Sequence, residues 1–191
     1  MNEYKNLKIL AIVGLTGSGK STAVDYFTEK GFPKVYFGGV IYEAMKEAGV
    51  PIGEEREKTF RLELRAKEGN DFVAQRIVKQ IRSLADAGQH RIIADGIYTW
   101  DEYKVMKHEF PGELIVVATV TPKHLRYHRL STRTERPQTE LISSQRDYAE
   151  IETMQKGGPI AMADYYVTND GDLEKFHRQL DEIARAVAFE S

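Results

Sequence analysis

The 191-residue sequence contains no cysteine, which excludes disulfides, thiolate metal ligands and a cysteine nucleophile. No apolar run approaches the roughly 20 residues that a membrane helix needs, and the polar residues 1–6 do not resemble a signal peptide. An excess of one charge is also absent, since 27 Lys and Arg face 29 Asp and Glu. The tyrosines and the single tryptophan are not interleaved with basic residues. We therefore expect a cytoplasmic protein with no nucleic-acid or membrane partner; no oligomeric state is predicted.

Short apolar runs alternate with longer helical patterns along the whole chain. The runs cover residues 7–13, 35–37, 91–94, 114–120 and 165–167. Helical patterns are predicted over about 21–30, 38–88, after Pro122, over about 138–155, and in a last helix with Leu173, Phe176, Leu180, Ile183 and Val187 on one face. This alternation predicts an α/β fold with a parallel sheet covered by helices on both sides. Residues 1–191 are expected to form one domain.

A complete phosphate-binding loop follows the first predicted strand. Residues 14–21 read Gly-Leu-Thr-Gly-Ser-Gly-Lys-Ser, and a helical pattern follows them. Glycines let successive backbone N–H groups point at phosphate oxygens, and the new helix presents its positive end to the same anion. Lys20 is expected to reach the β- and γ-phosphates, and Ser21 to bind Mg²⁺. The predicted ligands of ATP in this loop are Gly14, Thr16, Gly17, Ser18, Gly19, Lys20, Ser21 and, at its edge, Thr22.

Asp95 ends the strand predicted over 91–94 and precedes Gly96. A carboxylate at the end of a parallel strand lies where such sheets bind ligands, and it can hold Mg²⁺ or orient a phosphate acceptor. Asp-Gly is also a common turn pair, so a purely structural role stays open. We predict that Asp95 and Ser21 form the metal site.

An arginine-rich segment follows Pro122. Arg126, Arg129 and Arg133 are spaced three and four apart, which aligns them on one face of a helix, and Arg136 and Arg146 follow. Arginines closing over a phosphoryl group neutralise the charge of the transition state and exclude water. We assign Arg129 and Arg133, together with Lys20 and Asp95, to catalysis, and Arg126 and Arg133 to nucleotide binding. The alternative is a solvated basic face that pairs with Glu135 and Glu140.

Two weaker features complete the predicted site. Asn169 lies in the Asn-Asp-Gly turn after the last strand and is expected to contact the adenine edge, although a simple turn is equally compatible with this pattern. Arg61 and Arg65 share a helical face and are candidates for binding an acceptor phosphate, but the glutamates around them also fit a solvated helix.

Taken together, these motifs resemble the P-loop nucleotide-kinase superfamily, most closely dephospho-CoA kinases and adenylate-kinase-related proteins. The resemblance rests on the phosphate loop, on Ala-Asp-Gly-Ile at 94–97, on the arginines of 126–136 and on residues 163–171. It implies a five-stranded parallel sheet, ATP with Mg²⁺ as the donor, and an acceptor-binding helical segment over about 38–88. It also implies an arginine-rich lid over about 126–146. We use the names acceptor segment and lid for these two ranges.

One departure from the superfamily pattern affects the acceptor. Related proteins usually carry an aspartate in the turn after the second strand, where this chain has Phe37-Gly38-Gly39. The leading hypothesis is a kinase that phosphorylates a small molecule, either dephospho-CoA or a nucleoside monophosphate. An ATP-binding regulatory or sensor module with weak hydrolysis is the alternative, and an enzyme acting on nucleic-acid ends is a third possibility.

Overall fold

The computed structural model describes residue 4 and residues 6–190, apart from the side chains of Glu54, Glu55 and Lys58. Most of the polar start of the chain, used above to argue against a signal peptide, lies outside the described residues. Within the described part, no helix is long and apolar enough to cross a membrane.

Five parallel strands form one sheet. They are β1 (Lys8–Val13), β2 (Lys34–Tyr36), β3 (Arg91–Asp95), β4 (Leu114–Val120) and β5 (Tyr165–Thr168). Their order across the sheet is β2-β3-β1-β4-β5, and every neighbouring pair is parallel. The structure therefore confirms the predicted α/β class with a five-stranded parallel sheet. Because β1 is central, the loop that follows it opens at the middle of the carboxyl edge of the sheet.

The connections between the strands are mainly helical. The α-helices are α1 (Lys20–Glu29), α2 (Phe37–Glu47), α3 (Glu54–Glu68), α4 (Phe72–Asp86), α5 (Trp100–Glu109), α6 (Lys123–Thr132), α7 (Glu140–Tyr148), α8 (Gly157–Ala161) and α9 (Leu173–Ala186). A π-helical turn, Ala149–Thr153, continues α7. The acceptor segment thus comprises nearly all of α2 together with α3 and α4, and the lid comprises most of α6, a loop and most of α7.

Alternating residues of β1 belong to two hydrophobic cores, one on each face of the sheet. Ile9 and Ala11 belong to the core that contains Phe37 of α2 and Ile77 of α4. Leu10 and Ile12 belong to the other core, with Phe27 of α1 and Phe176 of α9. This alternation is the period of two expected for a strand buried on both faces, and it produces three layers.

The structure differs from the sequence prediction at several element boundaries. The predicted helix over 138–155 is α7 followed by the π-helical turn, and the next residues, after Gln155 in a left-handed conformation, form α8. Leu173 is 55% exposed, because it lies at the first position of α9, before the buried stripe begins. Helix α5 was not predicted. Its capping box, in which Thr99 and Glu102 bind each other's backbone amides, is the sequence signal that identifies it.

Candidate active site

The phosphate loop, residues 14–21, joins β1 to the first turn of α1 and requires its glycines. Gly14, Gly17 and Gly19 all have positive φ angles, of 149°, 82° and 99°. A Cβ atom on Gly14 would lie 2.6 Å from the Thr119 carbonyl oxygen, and one on Gly19 would lie 2.1 Å from Nδ2 of Asn169. Side chains at these positions would therefore collide with the walls of the loop as well as strain its backbone.

Lys20 folds back over this loop. Its Nζ donates hydrogen bonds to the carbonyl oxygens of Gly14 at 2.9 Å and Leu15 at 3.1 Å. Burial, and next the nearby Lys156, lower the pKa of Lys20 to about 8, while Glu150 and Asp95 act in the opposite direction. A lysine held among loop carbonyls with a lowered pKa is a partly desolvated cation, and an anionic ligand would restore its usual proton affinity.

Two further residues of the loop face in different directions. Ser18 is buried, and its hydroxyl is hydrogen-bonded to that of Thr119 at 2.8 Å. Its side chain therefore connects the loop to β4. Ser21 lies exposed in the first turn of α1, next to the equally exposed Thr22. Its hydroxyl is therefore accessible to a metal ion bound beside the loop.

Asp95 stands at the end of β3, in register with Ile12 of β1 and Tyr36 of β2. Burial raises the pKa of its carboxyl group, while Lys34 and Lys20 lower it. The sheet thus brings Asp95 within electrostatic reach of Lys20, as expected from its place at the carboxyl edge. Among the described residues, no group of three or more acidic or histidine side chains forms a metal cluster. The assignment of Ser21 and Asp95 as Mg²⁺ ligands stays a prediction.

Arg126, which is predicted to bind the nucleotide, forms a buried ion pair with Asp147 of α7. It is only 5% exposed, and its two Nη atoms donate to both carboxylate oxygens of Asp147, at 2.8 and 2.6 Å. Nη1 also donates to the carbonyl oxygen of Thr16 at 3.0 Å. The guanidinium therefore links α6 and α7 to the phosphate loop. Helical spacing alone placed it with the outer arginines, but the side of α6 that it occupies faces the loop.

Arg129 and Asn169 form a second set of hydrogen bonds that reaches the loop. Arg129 Nη2 donates to Oδ1 of Asn169 at 3.3 Å, and Nδ2 of Asn169 donates to the carbonyl oxygen of Ser18 at 3.0 Å. Asn169 thus touches the loop itself, and its contact with adenine stays a prediction. These hydrogen bonds place Arg129 beside the phosphate loop.

The outer arginines of the lid gather in one place. Burial and the neighbouring Arg146 and Arg136 lower the pKa of Arg133. Arg133 Nε donates to the carbonyl oxygen of Arg136 at 2.7 Å, and Arg136 is close enough to Tyr42 of α2 to influence its pKa. Arg133 and Arg136 add positive potential here, whereas Arg146 also forms an ion pair with Glu150. The lid contacts the phosphate loop through Arg126, and Arg136 lies within electrostatic reach of the acceptor segment.

Sequence reasoning missed Glu150, the acidic residue nearest to the loop amides. It is 3% exposed and accepts a hydrogen bond from the backbone N–H of Thr16 at 3.0 Å and another from the Thr16 hydroxyl. Lys156, also missed, donates to it at 2.7 Å. Burial alone would raise the pKa of Glu150, but Lys156 and the Thr16 hydrogen bonds lower it to about 2. No local pattern marks this contact, because 134 positions separate the partners.

The acceptor segment presents polar groups near the same edge. Arg61 forms an ion pair with Glu57, which also accepts a hydrogen bond from the Tyr42 hydroxyl at 3.2 Å. Nε of Arg65 is buried and has no hydrogen-bond partner among the described residues. Of the two predicted candidates, Arg65 is thus the one with an unused donor.

The phosphate loop and the five-stranded parallel sheet are those of the P-loop kinase-like fold. Residues 10–155 match the model of the AAA domain family. The chain is 33% identical over 185 residues to a UPF0200 protein of Thermococcus onnurineus, covering 95% of this chain and 99% of that protein. The chain therefore belongs to the UPF0200 family and also to the AAA domain family.

Solved structures of small-molecule kinases share this fold. The shikimate kinase of Bacteroides thetaiotaomicron superposes with a TM-score of 0.59 at 12% identity, covering 95% of this chain and 98% of that one. The dephospho-CoA kinase of Campylobacter jejuni gives a TM-score of 0.55 at 14% identity, with 96% and 98% covered. At these identities the likeness establishes the fold alone. The predicted resemblance is therefore confirmed for the P-loop superfamily, whereas the relatives in sequence are UPF0200 proteins and not dephospho-CoA kinases.

Proposed function

We propose that this protein is an ATP-dependent kinase that transfers the γ-phosphate to a small, nucleotide-like acceptor. The acceptor segment, residues 38–88, and the lid, residues 126–146, are its two substrate-binding parts within one domain. The proposal takes the donor to be ATP with Mg²⁺, and the acceptor to be dephospho-CoA or a nucleoside monophosphate.

The residues of the donor side fit a nucleoside triphosphate. The glycine-lined loop has no room for side chains, and the Thr16 backbone N–H already donates a hydrogen bond to a carboxylate, an anion that stands in for a phosphate oxygen. Lys20 and the loop amides would hold the phosphates, while Ser21 and Asp95 would hold Mg²⁺. The bound metal would supply charge neutralisation of the phosphates during transfer.

The grouping of Arg133, Arg136 and Arg146 is the observation that favours transfer over simple binding. Arg136 and Arg146 are close enough to Arg133 to lower its pKa, and Arg136 acts on the pKa of Tyr42 in the acceptor segment. We therefore assign these cations to the charge that develops during phosphoryl transfer. A sensor needs only to hold its nucleotide, whereas a kinase must also neutralise the transferring group and exclude water. Arg133 is therefore assigned to the transition state.

The acceptor side favours an anion attached to a ring system. Arg65 offers a buried Nε without a partner in the described part of the chain, and Arg61 is nearby on the same helix. Tyr36 and Tyr98 flank Asp95, and their hydroxyl groups share a hydrogen bond. Nucleoside monophosphates and dephospho-CoA both combine phosphate with an aromatic base, so both match these groups. The absence of an acid in Phe37-Gly38-Gly39 leaves Asp95 as the carboxylate assigned to the acceptor hydroxyl or the metal.

The direct test is the rate of ADP formation from ATP and Mg²⁺ with each acceptor and with water alone. The panel contains dephospho-CoA and the ribo- and deoxynucleoside monophosphates. We expect one acceptor class to raise the rate well above the water background, and Lys20→Ala to remove the increase. ATP binding without stimulation by any acceptor would favour a regulatory or sensor module instead.

A further inference from the structure

Glu150 occupies a position that the phosphate loop normally reserves for a ligand. Its carboxylate takes the backbone N–H and the hydroxyl of Thr16, the third residue of the loop. Loop amides of this motif serve to bind phosphate oxygens. Glu150, which follows the lid in the sequence, therefore occupies a backbone N–H donor that would otherwise be available to the nucleotide.

The groups around this carboxylate form a set typical of phosphate sites. Besides Thr16, Lys156 Nζ lies 2.7 Å and Arg146 Nε 3.5 Å from the same oxygen, Oε1. An amide, a hydroxyl, an ammonium and a guanidinium thus converge on one anion. Charge-assisted hydrogen bonds of this kind are how proteins bind phosphate, and here the protein supplies the anion itself.

The Glu150 carboxylate lies within electrostatic reach of Lys20, the loop residue associated with the outer phosphates. Lys20, which reaches the β- and γ-phosphates in this motif, interacts electrostatically with Glu150, Asp95 and Arg146. At the other end of the loop, the first turn of α1 begins with the exposed Ser21. An inner phosphate held at the start of α1 leaves Glu150 in place, whereas a third phosphate next to Lys20 meets the carboxylate.

The backbone that carries Glu150 is suited to a change of position. Glu150 lies in the π-helical turn that ends α7, and such turns are uncommon and often mark functional sites. Gln155, just after it, has a left-handed φ of 56°, which costs a non-glycine residue roughly 1 kcal/mol or more. Gly157 and Gly158 follow. The segment between α7 and α8 therefore stores local strain next to the phosphate loop.

We propose that Glu150 is a built-in competitor of the terminal phosphate, which makes the site respond differently to nucleoside triphosphates and diphosphates. A triphosphate displaces the carboxylate from Thr16, and its departure makes Lys156 and Arg146 available to the γ-phosphate. A diphosphate binds with Glu150 still in place. This inference rests on the proposed nucleotide site and adds a residue that controls which nucleotide state rearranges it.

The test compares the affinities of ATP and ADP, in Mg²⁺, for the wild type, Glu150→Gln and Glu152→Gln by calorimetric titration. Glu152 is an exposed glutamate in the same turn and serves as the matched control. Glu150→Gln should raise ATP affinity by about tenfold or more, because the apparent affinity is limited by the fraction of molecules with a free site. The affinity for ADP, and both affinities in Glu152→Gln, should stay within about twofold of the wild type.

A second measurement leaves Glu150 unchanged, in case its replacement prevents folding. Since the chain has no cysteine, Glu152→Cys provides a single labelling site for an environment-sensitive dye on the π-helical turn. A non-hydrolysable triphosphate should change the emission of the dye, and ADP should leave it as in the free protein.

Equal effects of both nucleotides on the dye, or an equal affinity change for ATP and ADP in Glu150→Gln, would overturn this inference. Phosphate transfer to an acceptor in the same preparations would show that the proposed function survives. If neither the wild type nor Glu150→Gln bound ATP, both the competitor and the proposed donor site would be wrong.

Discussion

Arg126 and Asp147 form a buried ion pair with two hydrogen bonds, at 2.8 and 2.6 Å, that joins α6 to α7. Through its third contact, with the carbonyl oxygen of Thr16, Arg126 also attaches this helix pair to the phosphate loop. The start of the lid is therefore fixed to the phosphate loop and to α7.

We expect Asp147→Asn to destabilise the protein strongly, because it leaves the buried Arg126 guanidinium without its counter-charge. Removing one partner of a buried pair typically costs about 3–5 kcal/mol. Glu174→Gln, which breaks the exposed pair with Arg178, should change the stability by less than about 1 kcal/mol. Urea unfolding of the two variants measures both values. Similar small changes would show that the Arg126 pair is not an anchor.

Arg133→Ala should reduce turnover far more than it reduces ATP affinity. Groups that act on the developing charge of the transition state lower the rate by about a hundredfold or more when removed. Arg178→Ala, on the exposed surface of α9, is the matched control and should leave both quantities unchanged. Steady-state kinetics with a parallel binding titration separates the two effects. An equal loss of affinity and turnover would instead assign Arg133 to binding of the ground state.

Lys20→Ala should abolish ATP binding, because it removes the cation that lies over the loop carbonyls. Lys79→Ala, at an exposed position of α4, should bind ATP as the wild type does. The measurement is equilibrium binding of ATP with Mg²⁺. Normal binding by Lys20→Ala would exclude the phosphate loop as the nucleotide site.

The stability contributed by Glu150 should depend on pH in the acid range. Its pKa in the folded protein, about 2, is below its ordinary value of 4.5, so its contribution is complete above pH 4.5 and is lost as the pH falls towards 2. The stability difference between the wild type and Glu150→Gln should therefore shrink by roughly 2 kcal/mol between pH 5 and pH 3. Denaturant unfolding at several pH values measures it, and a constant difference would mean that Glu150 is not held by Lys156 and Thr16.

Local sequence patterns predict the position of those parts of the candidate site that lie within one continuous strand, turn and helix. The phosphate loop is such a part, since its glycines and Lys20 act through neighbouring backbone. The position of Asp95 is also predictable from the sequence, because strand ends meet at one edge of a parallel sheet. The same reasoning identified all five strands, as each is an apolar run of the right length.

Contacts between segments that are distant in the sequence cannot be predicted from local patterns. Arg126 was grouped with Arg129 and Arg133 by helical spacing, yet only the packing of α6 on the loop decides which arginine is buried. Glu150 meets Thr16 through the fold of the lid, and no spacing within the sequence encodes that meeting. The missed residues are therefore those whose roles arise from tertiary contacts.

The most direct test of the central claim follows the γ-phosphate itself. The full chain is incubated with ATP labelled at the γ-phosphate, Mg²⁺ and one acceptor at a time, and the label is then separated into acceptor and inorganic phosphate. With a cognate acceptor, we expect most of the label in the phosphorylated acceptor, and less transfer in Arg133→Ala. Label found only in inorganic phosphate with every acceptor, at an unchanged rate, would contradict a kinase and indicate a nucleotide-binding module with slow hydrolysis.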